Sequence, residues 1–148
     1  MEDLEILVTF NSALAKETEQ RDLDRHRLRY GVEALLQDPG KGWYVVAEIP
    51  ASPHKGQVIA QLLITFEWSD WRNGMFWWLQ SLYVDPEHRR EGVFRQLFQY
   101  VNAQAQVSVS PICGVRLYVE QQNDVAQRVY ASLGFQQSPY HMYEIEFS

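Results

Sequence analysis

Cysteine is almost absent from this chain. Cys113 stands alone among 148 residues, so no disulfide closes within the chain and a secreted disulfide scaffold is excluded. A catalytic thiol needs a base beside it. No local pattern around Cys113 supplies one, so it reads as a packing residue. Long apolar runs are missing too, and nothing approaches the ~20 residues of a membrane span. The acidic start Met1-Glu2-Asp3-Leu4-Glu5 lacks the pattern of a signal peptide. These absences predict a cytoplasmic protein. Positive charge is scarce, with 13 Lys and Arg against 19 Asp and Glu and a net charge of −6. That balance argues against bulk attraction to nucleic acid or to an anionic membrane. His26, His54, His88 and His141 are scattered and fit no ligand spacing, so no metal is expected.

Apolar residues are plentiful, at 46%, and aromatics reach 14% with five Trp. Such a chain folds rather than staying disordered. Its length suits one domain over residues 1–148 and is too short for two. Helical spacing runs through residues 3–19 (Leu4, Leu7, Val8, Leu14, Ala15) and 21–37 (Leu28, Val32, Leu35, Leu36), ending at Asp38-Pro39-Gly40. Extended segments follow at Trp43–Ile49, Gln57–Trp68 and Met75–Val84, with Asn73-Gly74 as a hairpin signal between the last two. A helix after Gly92 carries Phe94, Leu97, Phe98, Val101 and Ala105 on one stripe. Gly114–Glu120 alternates as a strand. Asn123 or Asp124 caps a further helix, and Gly134 ends it. Phe135 and His141–Phe147 read as closing strands. This order predicts an α/β protein with a central mixed sheet flanked by helices on both faces. The strands on either side of the Gly92 helix must run parallel.

The stretch from Val84 to Leu97 carries the strongest chemical signal. A strand ends, a Pro-bearing turn follows, and Arg89-Arg90-Glu91-Gly92 leads into a helix. The first turn of a helix has N–H groups without internal partners and a partial positive charge. A glycine there admits a ligand close to the backbone. Arg89, Arg90 and Arg95 add charge where an anion would lie. This is an arrangement for holding a pyrophosphate.

With these elements placed, the chain resembles the GNAT superfamily of N-acetyltransferases over nearly its whole length. The family binds the pyrophosphate of acetyl-CoA with an Arg/Gln-x-x-Gly-x-Gly/Ala element between strand and helix. Here that element reads Arg89-Arg90-Glu91-Gly92-Val93-Phe94, with Phe94 where the family has Gly or Ala. The later Asn123-Asp124-Val125-Ala126-Gln127-Arg128-Val129-Tyr130-Ala131-Ser132-Leu133-Gly134-Phe135 resembles the family's Asn-x-x-Ala-x-x-x-Tyr-x-x-x-Gly-Phe element. Two motifs in the right order and context reinforce each other. The family opens with a strand before the first helix, and this chain begins inside that helix, so the first strand looks missing.

The resemblance implies a direct attack of an amine on acetyl-CoA within a ternary complex. Main-chain N–H groups of Leu82, Tyr83 and Val84 are then expected to polarise the thioester, in a slot left where two parallel strands splay apart. Residues Arg89 to Arg95 are expected to hold the phosphates. Asn123 and Ala126 lie beside the pantetheine arm, with Tyr130 on the same helix face about two turns after Asn123. A phenol stays protonated at neutral pH and can protonate the leaving thiolate, so Tyr130 is the expected general acid. Many relatives place a Glu base where this chain has Gln80. The candidates left are Glu67 and Glu120, with Asp70 and Glu33 behind them. The run Glu67-Trp68-Ser69-Asp70-Trp71 interleaves acids with indoles. It could hold an ammonium by charge and cation–π contact, as could Glu33. A small amine or polyamine is the expected acceptor. A lysine or protein N-terminus is the alternative within the enzyme class, and a catalytically silent CoA-binding sensor or an interaction module is the alternative outside it. A homodimer is common in the family, and nothing in the sequence demands one.

Overall fold

A computed structural model describes residues 1–147 of the chain. Helical spacing of Leu and Val folds its first part into α1 (Leu4–Glu19) and α2 (Arg25–Gln37). Leu4, Leu7 and Val8 of α1 meet Val32 of α2 in one buried cluster, with Tyr44 and Val46 of the sheet packed against it. α2 starts at Arg25 because both neighbouring ends are fixed. Gln20 closes α1 in a left-handed conformation, and Asp24 accepts from the N–H groups of His26 and Arg27.

The sheet contains β1 (Trp43–Glu48), β2 (Val58–Ser69), β3 (Gly74–Val84) and β4 (Ile112–Arg116), in the order β1-β2-β3-β4. The first three pair antiparallel, and β4 lies parallel to β3. The β2–β3 hairpin turns at Asp70–Asn73, where Asn73 takes φ 48° ahead of Gly74. A 3-10 turn at Pro86–His88 and then α3 (Val93–Val107) make the crossover from β3 to β4 that forces their parallel direction. The α1–α2 cluster covers one face of the sheet through Tyr44 and Val46, while α3 packs on β1 and β2 and buries Leu97 and Val101. Leu62 and Ile64 of β2 are fully buried at the centre. No strand precedes α1 among the described residues. No helix among them is long and apolar enough to cross a membrane.

The chain forms two compact units, Met1–Leu117 and Tyr118–Ser148. The second contains α4 (Asp124–Ser132), opened by Asn123 and followed by Gly134 at φ 97°. Two expectations need correction here. The strand expected at 114–120 lies instead at Ile112–Arg116. The chain then turns into α4, with the Glu120 carbonyl accepting from the Asn123 N–H at 3.0 Å. The closing strands expected at Phe135 and His141–Phe147 do not form among the described residues. Alternation supplies a face for a strand but not a partner, and no described residue pairs with these.

Candidate active site

The end of β3 is irregular in a way that opens one of its edges. Gln61 of β2 pairs with Tyr83 and Leu63 pairs with Gln80, so Ser81 and Leu82 together oppose Leu62. This is a β-bulge, with Ser81 left-handed at φ 51°. For a residue with a side chain, that conformation costs about 1–2 kcal/mol. The Gln61 side chain donates from Nε2 to the Ser81 carbonyl at 2.8 Å. Gln61 is itself 0% exposed, and its Oε1 finds no partner among the described residues. An orphaned buried acceptor costs about 1–3 kcal/mol.

Past the bulge, the Asp85 N–H donates to the Ile59 carbonyl at 2.8 Å. Main-chain groups alternate between the two edges of an antiparallel strand. Val84, between Tyr83 and Asp85, therefore turns its N–H and carbonyl away from β2. On that side the β3–β4 ladder ends at the Trp78–Arg116 pair, while β3 continues to Val84. Beside Leu82, Tyr83 and Val84 the β3–β4 ladder does not continue among the described residues.

The loop that follows is left-handed at Arg90 (φ 65°) and at Gly92 (φ 78°). A Cβ placed on Gly92 would meet nothing within 4 Å, so the glycine borders open space. α3 then begins with no side-chain cap and no acid in its first turn. Each other helix start has one or the other: Glu5 in α1, the Asp24 cap in α2, and Asn123 with Asp124 in α4. An uncapped, acid-free helix start is the one suited to an anion. Arg90 and Arg95 are exposed and have no acidic partner among the described residues. Glu91 pairs with His88 at 3.3 Å. Val93 is half-buried, and Phe94 packs on Phe98 with ring centroids 6.4 Å apart.

Arg89 is placed differently from its expected role. Its Nε donates to the Val84 carbonyl at 2.9 Å and its Nη2 to Glu17 of α1 at 2.8 Å. The guanidinium also lies 5.3 Å over the Tyr83 ring. Arg89 therefore ties the strand end to α1. Arg89→Ala is expected to lower stability by about 1 kcal/mol, as for a half-exposed ion pair. Thermal denaturation reads this, and a drop of the same size in Glu17→Ala that does not add to it confirms the shared contact.

At the last pair of the ladder lies a polar cluster. The Trp78 Nε1 donates to Glu67 Oε1 at 2.8 Å, and Arg116 Nη1 donates to both Glu67 oxygens at 2.9 and 3.2 Å. Arg116 sits 3.6 Å over the Phe76 ring. Gly114 permits this packing, because a Cβ there would come within 2.6 Å of that ring. The Trp78 hydrogen bond and Arg116 hold the Glu67 carboxyl below its ordinary pKa. A carboxylate stabilised in its charged form is a weaker proton acceptor. Gln80 donates to Thr65 Oγ1 at 2.6 Å. On the hairpin, Trp68 and Trp71 are exposed, and Asp70 accepts from the Trp71 N–H at 2.9 Å. Glu33 pairs with Arg29 on α2 at 3.5 Å.

In the second unit, Asn123 Oδ1 accepts from the Ala126 N–H at 3.1 Å, so its side chain serves as the helix cap. Glu120 Oε2 accepts from the Gln122 N–H at 2.7 Å, which commits that carboxylate to a turn. Tyr130 is half-buried, with its ring edge-on to Phe135 at 5.9 Å. Burial pushes its phenol above the ordinary value. Sequence reasoning missed Gln61, Ser81, Glu17 and Arg116. The polar Gln61 within an apolar strand was the one local signal among them.

A family model described as an acetyltransferase (GNAT) domain matches residues 40–137, from β1 through α4. The chain belongs to the GNAT acetyltransferase family. Among solved GNAT relatives, a possible acetyltransferase from Clostridium difficile 630 is 47% identical. The match covers 100% of this chain and 93% of that one, with TM-score 0.89. A ribosomal-protein-alanine N-acetyltransferase from Brucella melitensis biovar Abortus 2308 shares the fold at 15% identity and TM-score 0.75, covering 99% and 94%. An aminoglycoside 6'-N-acetyltransferase from Acinetobacter haemolyticus does so at 20% identity and TM-score 0.69, covering 97% and 94%. No curated protein sequence matches. Within the GNAT fold, the open β3 edge and the loop after it are where this chain departs from regular sheet and capped helix.

Proposed function

We propose that this GNAT protein transfers an acetyl group from acetyl-CoA to the primary amine of a small molecule or polyamine, by direct attack in a ternary complex. The observation that carries the reading is the β3 edge, left unpaired past Trp78 among the described residues and followed, after one turn and loop, by an uncapped helix start. In this reading the pantetheine arm lies along that edge. The phosphates sit on the main-chain N–H groups of Glu91 to Arg95, with Arg90 and Arg95 beside them. The Val84 N–H supports the charge that develops on the thioester oxygen. The amine nitrogen bonds to the acetyl carbon, the C–S bond breaks, and Tyr130 gives its proton to the departing thiolate. Tyr130 suits this role because burial keeps the phenol protonated. The amine must shed its own proton, and a water chain to solvent carries it. Glu67, held as a carboxylate, attracts the ammonium form rather than deprotonating it, together with Trp68, Asp70 and Trp71.

Thiol release from acetyl-CoA tests this against polyamines, amino acids, aminoglycosides and peptides with N-terminal alanine. The expected result is release that depends on a small cationic amine. Release with peptides alone moves the acceptor to protein N-termini. CoA binding without release with any amine leaves the silent sensor.

A homodimer is the proposed assembly. Tyr143, Ile145 and Phe147 stand 91%, 82% and 89% exposed at strand spacing. A stripe of that period fits an open sheet edge, and β4 of a second copy presents one. Light scattering is expected to give about twice the 17.4 kDa chain mass, falling to one copy in Ile145→Lys. A wild-type mass of one copy at micromolar concentration contradicts it.

A further inference from the structure

Two unfavourable features meet at one point of the sheet: a left-handed serine and a buried glutamine with an unpaired oxygen. The surroundings of Gln61 do not call for a polar group. Ile59, Ala60, Leu62, Leu63 and Ile64 along the same strand are all buried hydrophobics. A leucine at 61 would bring no unpaired side-chain oxygen into the sheet. What it could not supply is the hydrogen bond from Nε2 to the Ser81 carbonyl. The bulge takes that carbonyl out of the β2–β3 ladder, so without Gln61 it would lose this partner in a part-buried sheet.

The bulge has a consequence for direction. Leu63 pairs with Gln80, so a regular β3 would continue with Ser81 against Leu62, Leu82 against Gln61 and Val84 against Ile59. Residues 80, 82 and 84 would then all turn their N–H groups the same way, toward β2. The extra residue reverses this alternation. Gln80 still faces β2, but beyond the bulge Tyr83 and Asp85 do so, and Val84 faces out. The Val84 carbonyl, accepting from Arg89 rather than from β2, shows the same reversal.

We propose that Gln61 is a positioning residue for acetyl transfer: its amide holds Ser81 left-handed and thereby aims the Val84 N–H at the thioester. Gln61 touches neither substrate nor reacting atoms and acts through the bulge. The proposal rests on the acetyl-transfer reading, and its test separates the two.

Three proteins are compared: wild type, Gln61→Leu, and Gln61→Leu combined with Ser81→Gly. Gln61→Leu is expected to fold with a melting temperature close to that of wild type, since it removes one orphaned oxygen and takes the Gln61 donor from the Ser81 carbonyl. Its kcat is expected to fall on the order of 100-fold, with KM for acetyl-CoA within about threefold. Glycine adopts the left-handed conformation unaided, so the double variant is expected to regain about 10-fold of the lost kcat. A residue needed only for folding would give the opposite pattern, with activity and melting temperature falling together and no recovery from Ser81→Gly. That pattern, or an unchanged kcat in Gln61→Leu, overturns the proposal and leaves the acetyl-transfer reading standing. If wild type releases no thiol with any amine, that reading fails, and the crystal structure of Gln61→Leu decides the proposal. Ser81 still left-handed and Val84 still facing out would overturn it. A regular ladder through residues 81–84 would bear out the control of the bulge by Gln61.

Discussion

Tyr130→Phe is expected to lower kcat for amine-dependent thiol release by about 100-fold while leaving CoA affinity within about threefold of wild type. The substitution removes one hydroxyl and keeps the ring, so the edge-on contact with Phe135 and the packing of α4 persist. What is lost is the proton that the proposed reaction gives to the leaving thiolate. Burial of the phenol sets a pH signature as well. The neutral form is favoured by desolvation, so the folded pKa lies above the ordinary value of about 10. The acid is therefore protonated throughout the neutral range. The alkaline loss of kcat assigned to Tyr130 should be centred above the ordinary phenol range and be absent from the Phe variant. Stability follows the same sign. The preference for neutral phenol is fully present below the unfolded pKa and is lost as pH rises through the folded one. Weaker CoA binding with normal kcat in Tyr130→Phe would remove the residue from proton transfer and make it part of the cofactor's wall.

Arg95→Glu is expected to weaken CoA binding on the order of 100-fold without destabilising the protein. The two effects should separate because residue 95 is at the third helical position after the Gly92 cap. There a glutamate is a favourable helix starter, contributing about 0.3–1 kcal/mol through the helix dipole. It would also give α3 the acid that its first turn lacks. If the phosphates lie at this helix start as proposed, the same carboxylate replaces a guanidinium beside them, so a charge-assisted hydrogen bond worth about 1.5–3 kcal/mol is exchanged for repulsion. Calorimetric CoA affinity and thermal denaturation on one sample read both changes. Unchanged affinity would move the phosphate site away from α3. Arg89→Ala should have a smaller effect on affinity than Arg95→Glu, because the Arg89 guanidinium is already held by Val84 and Glu17.

The sequence makes the regular parts of this molecule readable and hides the irregular ones. Leu4, Leu7, Val8 and Val32 fall on helix faces by period alone and meet in the buried cluster. The crossover through α3 dictates the parallel β3–β4 pair before any coordinates are known. The end of β4 is not legible, because Tyr118 and Glu120 keep the strand alternation past Arg116. The closing strands are over-read for the same reason. Alternation at Tyr143, Ile145 and Phe147 marks a face that wants covering and says nothing of its partner.

The site divides similarly. Gly92 announces its left-handed loop, since glycine is the residue that such a turn selects. Ser81 announces nothing, because a serine in a strand is ordinary and its conformation is set by Gln61 across the sheet. Arg89 looks like a phosphate ligand until Glu17, remote in sequence, is found beside it. Glu67 looks like a free carboxylate until Trp78 and Arg116 are seen to hold it. In each case a long-range hydrogen bond sets the side chain's surroundings, and local spacing carries no trace of it.

The most direct test of the central claim is a titration of the wild-type protein with CoA, followed at each backbone N–H by nitrogen-15 NMR. The largest shifts are expected on Leu82 to Val84 and on Arg90 to Arg95, with those of β1 unmoved. Shifts centred elsewhere on the sheet, or none at saturating CoA, would contradict it.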